Sequence, residues 1–169
     1  MKKELEIIRA NGKNYLCFKD QDVDTNIVSY VNIANMMIAF ETGVDEFEII
    51  PTDETLKEKI YTYQGCEVCL APALYSNGWM ALTVANPNDK RDFRVLTINL
   101  EDIPALGVPD RVFVDCNNEP EALEFLVKNN LAVDMGYSRQ SGFASYPMMM
   151  VDLALIYQHA PEVFININI

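Results

Sequence analysis

The chain has 169 residues, half of them hydrophobic, with 25 acidic and 13 basic side chains and a formal net charge of -12. That is enough apolar material for one buried core and too little for two, so a single domain over residues 1–169 is expected and general disorder is excluded. The acid excess argues against direct contact with a nucleic-acid backbone, which needs clustered Lys and Arg.

No apolar run of about 18 residues is available to span a bilayer, and MKKELEIIRANGK breaks its apolar residues with charge where a signal peptide needs an unbroken core. A cytoplasmic protein without membrane contact is expected, with Cys17, Cys66, Cys69 and Cys116 as thiols.

In chain order, Glu4–Arg9 and Tyr15–Lys19 flank Asn11-Gly12, a dipeptide suited to a tight hairpin turn. From Asp24 to Phe40, Ile27, Val31, Ala34 and Ile38 recur at helical spacing behind an Asp/Thr cap and predict a helix, heavily buried or partly strand. EFEIIP predicts a short strand. In TDETLKEKIYTY, Thr55 stands three residues before Glu58 and Leu56, Ile60 and Tyr63 share a face, which predicts a short amphipathic helix.

The middle of the chain predicts a meander: Cys66–Leu70, Trp79–Ala85 and Phe93–Leu100, punctuated by Ser76-Asn77-Gly78 and Asn86-Pro87-Asn88-Asp89. Arg111–Asp115 is a short apolar strand. A helix follows in which Asn118 caps, Pro120 lies in the first turn, Glu121 takes the capping-box position and Leu123, Leu126 and Val127 form the buried stripe. MMMVDLALIYQHAP predicts an extended segment and a short helix. FININI alternates Ile165, Ile167 and Ile169 against asparagines as a terminal strand. The expected fold is α+β: a single domain with a largely antiparallel sheet of about five to seven strands and three or four helices.

CEVC is the one metal-like spacing, but structural zinc needs four ligands. The other cysteines stand singly, His159 is the sole histidine, and residues three apart on a strand face opposite ways. Structural thiols outweigh zinc or redox chemistry, and no metal or cofactor is expected. Ser138, Ser141 and Ser145 lack the strand-to-helix elbow of a hydrolase nucleophile, and His159 follows an apolar helix, so no catalytic residue is assigned. Neither a P-loop nor a dinucleotide fingerprint occurs.

Fourteen of the 25 acids fall in two windows, Glu41–Lys59 and Glu101–Glu124. Were the fold to bring them together, Asp45, Glu46, Glu48, Asp53, Glu54, Glu101, Asp102, Glu121 and Glu124 would form a phosphate-like surface for a basic protein groove; apart, they are solvated patches. In GYSRQSGFASYP, Tyr and Arg are common interface anchors. The alternative there is structural: Gly142 at a bulge or close approach, Phe143 inward, and Tyr146 shielding a sheet end.

The run VDCNNEPEALEFLVKNNL followed by RQSGFASYP resembles a family of uncharacterised proteins carried by phages and conjugative elements of gut anaerobes. The matching residues are Asp115, Asn117, Asn118, Gly136 at a shifted spacing, Arg139, Ser141, Gly142, Phe143, Tyr146 and Pro147. Asn130-Leu131 stands where that pattern has Gly-Leu. The resemblance implies a genomic setting more than a chemistry.

Charge and setting together predict a non-enzymatic accessory protein that binds a protein partner, in its sharpest form an anti-CRISPR or anti-restriction inhibitor that offers carboxylates to a nucleic-acid-binding host defence protein. Two rivals remain: a small-molecule-binding protein or small enzyme with a pocket formed by Tyr137, Arg139, Ser141 and Tyr146, and a structural homodimer joined through the FININI edge.

Overall fold

Turn chemistry and period-two alternation prevail over helical spacing through most of the chain in the computed structural model, which describes residues 3–167. Fifteen strands hold 46% of the described residues, against 14% in helical turns, and two α-helices occur among them. The expected α+β fold with three or four helices is therefore corrected to a mostly β architecture of several antiparallel sheets.

The first sheet contains β1 (Leu5–Ala10), β2 (Lys13–Gln21), β3 (Val28–Asn32), β4 (Met37–Glu41) and β5 (Glu48–Ile50), in the order β4-β3-β2-β1-β5. Asn11-Gly12 closes the β1–β2 hairpin, with Ala10 opposite Lys13. The helix expected over Asp24–Phe40 is instead the β3–β4 hairpin. The apolar spacing there is ambiguous, and local chemistry resolves it: Val28 and Val31 are β-branched, Asn32 Oδ1 accepts from Ala34 N at 3.0 Å, and Met36 turns the chain with φ 59°.

One face of this sheet sends Ile7, Leu16, Phe18 and Val31 into the main core. The other carries Ile8, Cys17 and Tyr30. The segment after β4 crosses that second face and covers it with Phe47, whose ring centroid lies 5.2 Å from Tyr30.

The helix expected in TDETLKEKIYTY is likewise corrected. Asp53 Oδ1 takes both Thr55 N and Thr55 Oγ1, at 3.0 and 2.6 Å, which fixes a single 3-10 turn over Glu54–Glu58. Ile60–Tyr63 then alternates exposed and buried residues as β6 and pairs with β7 (Cys66–Leu70). A small ribbon of β8 (Ala73–Leu74) and β9 (Met80–Ala81) follows. Next come β10 (Thr83–Asn86) and β11 (Asp89–Val95), which complete a second sheet in the order β11-β10-β7-β6.

The third sheet is built from β12 (Thr97–Ile98), β13 (Arg111–Val114), β14 (Ala132–Ser141) and β15 (Ala144–Val151), ordered β12-β13-β15-β14. Helix α1 (Ala122–Lys128) buries Ala122, Phe125 and Leu126, and α2 (Leu153–His159) buries Leu153, Ala154 and Ile156. The connection before β13 is fastened to the first sheet: Val108 N donates to Ile33 O at 2.9 Å. Gly107, with φ 71°, approaches so closely that a Cβ would overlap the same carbonyl oxygen.

FININI is not a strand over its described part. Pro161–Phe164 forms a 3-10 turn that buries Phe164, and Ile165 and Asn166 continue as a turn. Ile169 lies outside the described residues. The asparagine alternation therefore gives no sheet edge through Ile167.

Candidate functional site

GYSRQSGFASYP folds as the outer end of the β14–β15 hairpin. Ser141 pairs with Ala144, so Gly142 and Phe143 form a two-residue turn, and the positive φ of Gly142, 60°, is what such a turn requires at its first position. The expectation of Gly142 at a bulge with Phe143 inward is reversed: Phe143 projects fully exposed from the tip. The bulge lies at Met135-Gly136, between the pairs Asp134–Met149 and Tyr137–Met148, with Gly136 N donating to Asp134 Oδ1 at 2.9 Å.

Directly opposed residues share a sheet face, so the register sorts the side chains into two layers. Val112 and Met149 face the core at 3% and 0% exposure. On the outer face two rows cross three strands, Arg111–Met150–Val133 and Phe113–Met148–Tyr137. Val133 is 66% and Tyr137 53% exposed, while Met148 and Met150 are half-buried beside them. β14 is also the end strand of its sheet. Met135, partly exposed in the bulge, adds to this apolar surface.

Arg139 is bound into the fold. Its Nη1 donates to Leu100 O at 3.0 Å, its Nη2 lies 3.2 Å from Glu101 Oε1, and its guanidinium sits 4.5 Å over the Phe113 ring. Tyr146, across the strand pair, is buried. Pro147 precedes the three residues of β15 that pair with β13, where a missing N–H is tolerated.

Asp115 and Asn118 form the turn out of β13. Buried Asp115 accepts from Asn118 N at 3.2 Å and Asn118 Nδ2 at 2.8 Å, while Asn117 is exposed in the same turn. Asn118 thus serves this turn and does not cap α1, which starts later, after Glu121, with no side-chain cap bond.

A family model described as a domain of unknown function, DUF4313, matches residues 70–167. The chain belongs to the DUF4313 family. No curated protein and no solved structure matches the chain. The DUF4313 region begins at the end of β7 and takes in the third sheet, both α-helices, the Asp115 turn and the whole β14–β15 hairpin. The acids of Glu41–Lys59 lie outside it.

Those acids spread across the first sheet. Asp45 Oδ2 accepts from Glu41 N at 2.9 Å beside β4, Glu46 lies on the crossing segment, and Glu48 stands in β5 opposite Arg9. β4 and β5 are opposite edges, four strand steps or roughly 19 Å apart at about 4.8 Å per step. Asp53 caps its turn, and Glu54 pairs with Lys57 at 2.6 Å. In the second window Glu101 holds Arg139, Asp102 follows it, and Glu121 and Glu124 stand at the start of α1. The hairpin thus holds Glu101, with Asp102 next to it in the chain, at the Arg139 end of its apolar face; Asp134, opposite Met149, belongs to the other face, and the remaining acids are dispersed.

A cleft of about 580 Å³ opens at the foot of the DUF4313 hairpin, between β14–β15 and the β1–β2 hairpin. Tyr137, Arg139, Ser141 and Tyr146 do not line it; Val133 and Met150 do. Asp152 borders it, with Oδ1 accepting from Leu155 N at 3.0 Å. Desolvation raises its pKa above the ordinary carboxylate value against the pull of backbone N–H groups and Lys13.

His159 is buried and committed. Leu155 O can only accept, so Nδ1 carries the proton and donates to it at 2.8 Å, leaving Nε2 to accept from the Tyr61 hydroxyl at 2.6 Å. Burial pushes its pKa down. The four cysteines are free; burial and Glu6 push the Cys17 thiol up to about 12, so it stays protonated.

The sequence reading missed Val133, Met148 and Met150. The signal was present: three methionines after a proline in a strand place alternate sulfurs on opposite faces, so one face must differ from the other.

Proposed function

We propose that the protein acts by binding another protein through the outer face and open edge of the β14–β15 hairpin, and that it is not an enzyme. The observation that carries this reading is the pair of rows in which exposed Val133 and Tyr137 abut Met150 and Met148; Phe143 is fully exposed farther along, at the hairpin tip. Contiguous apolar surface of this kind marks interaction sites, and flexible methionines adapt to a partner's contour. The rigid Tyr137 ring serves as the anchor.

Charge selects the partner. A net charge of -12 on each copy opposes self-association, and the Met135-Gly136 bulge interrupts the edge against extended pairing of copies. Glu101 and Asp102 give the Arg139 end of the apolar face an acidic rim, which fits a partner whose own rim is basic. In its sharpest form the partner is a nucleic-acid-binding host defence protein, and this chain is a cytoplasmic inhibitor of anti-CRISPR or anti-restriction type carried by phages or conjugative elements.

The test is affinity purification from cells carrying defence nucleases with three baits: the wild type, Tyr137→Ser/Met148→Ser and Glu121→Lys/Glu124→Lys. A protein retained by the wild type and the α1 variant but lost from the hairpin variant is expected. Equal retention by all three, or loss from the α1 variant alone, contradicts the reading. A nuclease so retained is then assayed for DNA cleavage with and without the purified chain; undiminished cleavage refutes the inhibitor form.

A further inference from the structure

We infer that the cleft at the foot of the hairpin is a binding site for a small zwitterion, an amino acid or dipeptide with an apolar side chain. Its carboxylate faces Arg9 and Lys13 and its ammonium faces Asp110 and Asp152. The cleft shares Val133 and Met150 with the outer face of the hairpin, but Tyr137 and Met148 do not line it, so binding there is tested separately from protein binding.

The carrying observation is the segregation of charge. Arg9 and Lys13 belong to the wall formed by the β1–β2 hairpin, and Asp110 and Asp152 to the wall formed by the third sheet. Two cations therefore stand across about 580 Å³ from two anions, a volume within the usual range for small-molecule sites. The Lys13 charge acts on the Asp152 carboxyl through space, and the two do not close into an ion pair. The gap between the walls remains open to a molecule that carries both charges.

Three of these four charged side chains are restrained by neighbours. Arg9 Nε donates to Asn14 Oδ1 at 3.0 Å, and the Lys13 ammonium lies 4.9 Å over the Tyr15 ring. Opposite them, Asp152 Oδ1 accepts from Leu155 N at 3.0 Å, and Val151 N donates to the backbone carbonyl of Asp110 at 2.6 Å. Such restraint lowers the ordering cost of binding. Leu16, Ala34 and Leu153 supply apolar surface between the charged groups. A simple anion would leave the carboxylates unmatched and a simple cation would leave Arg9 and Lys13 unmatched. Two carboxylates are also short of the ligand set of a hard metal ion. A zwitterion satisfies both walls at once.

Isothermal titration of the full chain with the dipeptide alanyl-leucine tests this, with N-acetyl-alanyl-leucine and alanyl-leucinamide as controls. Saturable binding of the free dipeptide is expected, weakened about tenfold or more when either terminal charge is blocked. In Lys13→Met, which leaves Arg9, the preference for the free acid over the amide should shrink; in Asp152→Asn, which leaves Asp110 and keeps an acceptor for Leu155 N, the preference for the free amine over the acetylated form should shrink. Absence of saturable binding at millimolar dipeptide, or equal affinity for all three ligands, overturns the inference without reference to any variant's folding. Binding that both variants leave unchanged also overturns it.

Discussion

The two faces of the β14–β15 hairpin differ sharply in exposure. Met149 is fully buried against Val112 and the core, while Met148 and Met150, one residue to either side, lie on a face where Val133 and Tyr137 are largely exposed. Identical side chains in one strand thus serve opposite ends, because a strand sends successive residues to opposite sides. The inner face spends its apolar surface on stability. The outer face keeps much of its own available, and only its Arg139 end is fastened down.

The sharpest way to break this comparison is to truncate adjacent methionines. Met149→Ala should cost about 2–5 kcal/mol of unfolding free energy, since it leaves a cavity in a packed core. Met148→Ala should cost less than about 1 kcal/mol, because its surroundings are half solvent. Chemical denaturation of the two variants measures the difference, and equal losses would erase the distinction between faces.

Arg139 sharpens the boundary. Arg139→Ala removes a bond to Leu100 O, the pair with Glu101 and the contact with Phe113, and should cost about 1 kcal/mol, limited by partial exposure of the pair. Arg139→Lys, which cannot reproduce the flat stacked fork, should recover only part of that.

Beneath the inner face, His159 adds a pH dependence. Its folded pKa is lowered by burial, so on acidification the unfolded chain takes up the proton first. Stability is therefore complete above the ordinary imidazole value of 6.5, falls as pH drops below it, and levels off below the folded pKa. The slope from this group is at most about 1.4 kcal/mol per pH unit. Melting curves from neutral to mildly acidic pH should show the decline in the wild type, and His159→Gln should flatten it. The smallest stability effect belongs to the tip: Phe143→Ser should stay within about 0.5 kcal/mol of the wild type, since its ring touches mainly solvent.

Much of the strand content was legible in the sequence, as in the Asn11-Gly12 hairpin, the strand at Cys66–Leu70 and the Arg111 strand. Over Asp24–Phe40 and Thr55–Tyr63 the apolar spacing suited either period. What decided those segments was side-chain-to-backbone bonding at Asn32 and Asp53 and pairing with distant strands, which spacing does not contain. Within the site, Arg139 stood out by type, yet its partners Leu100 and Glu101 lie far off in sequence. The apolar outer face escaped notice because it depends on the register around the Met135-Gly136 bulge, which places Val133 and Tyr137 on one side. The charge-segregated cleft is less legible still, since its two walls come from opposite ends of the chain.

The most direct test of protein binding by the hairpin is amide hydrogen exchange of the full chain, free and bound to the protein that the wild-type bait retains. Ala132–Ser141 is an open edge and should exchange quickly in the free chain. Binding should protect Tyr137–Ser141 together with Met148–Met150, leaving Glu41–Lys59 and α1 unchanged. Protection confined to Glu41–Lys59 or to α1, with β14 still exchanging as in the free chain, would contradict the account.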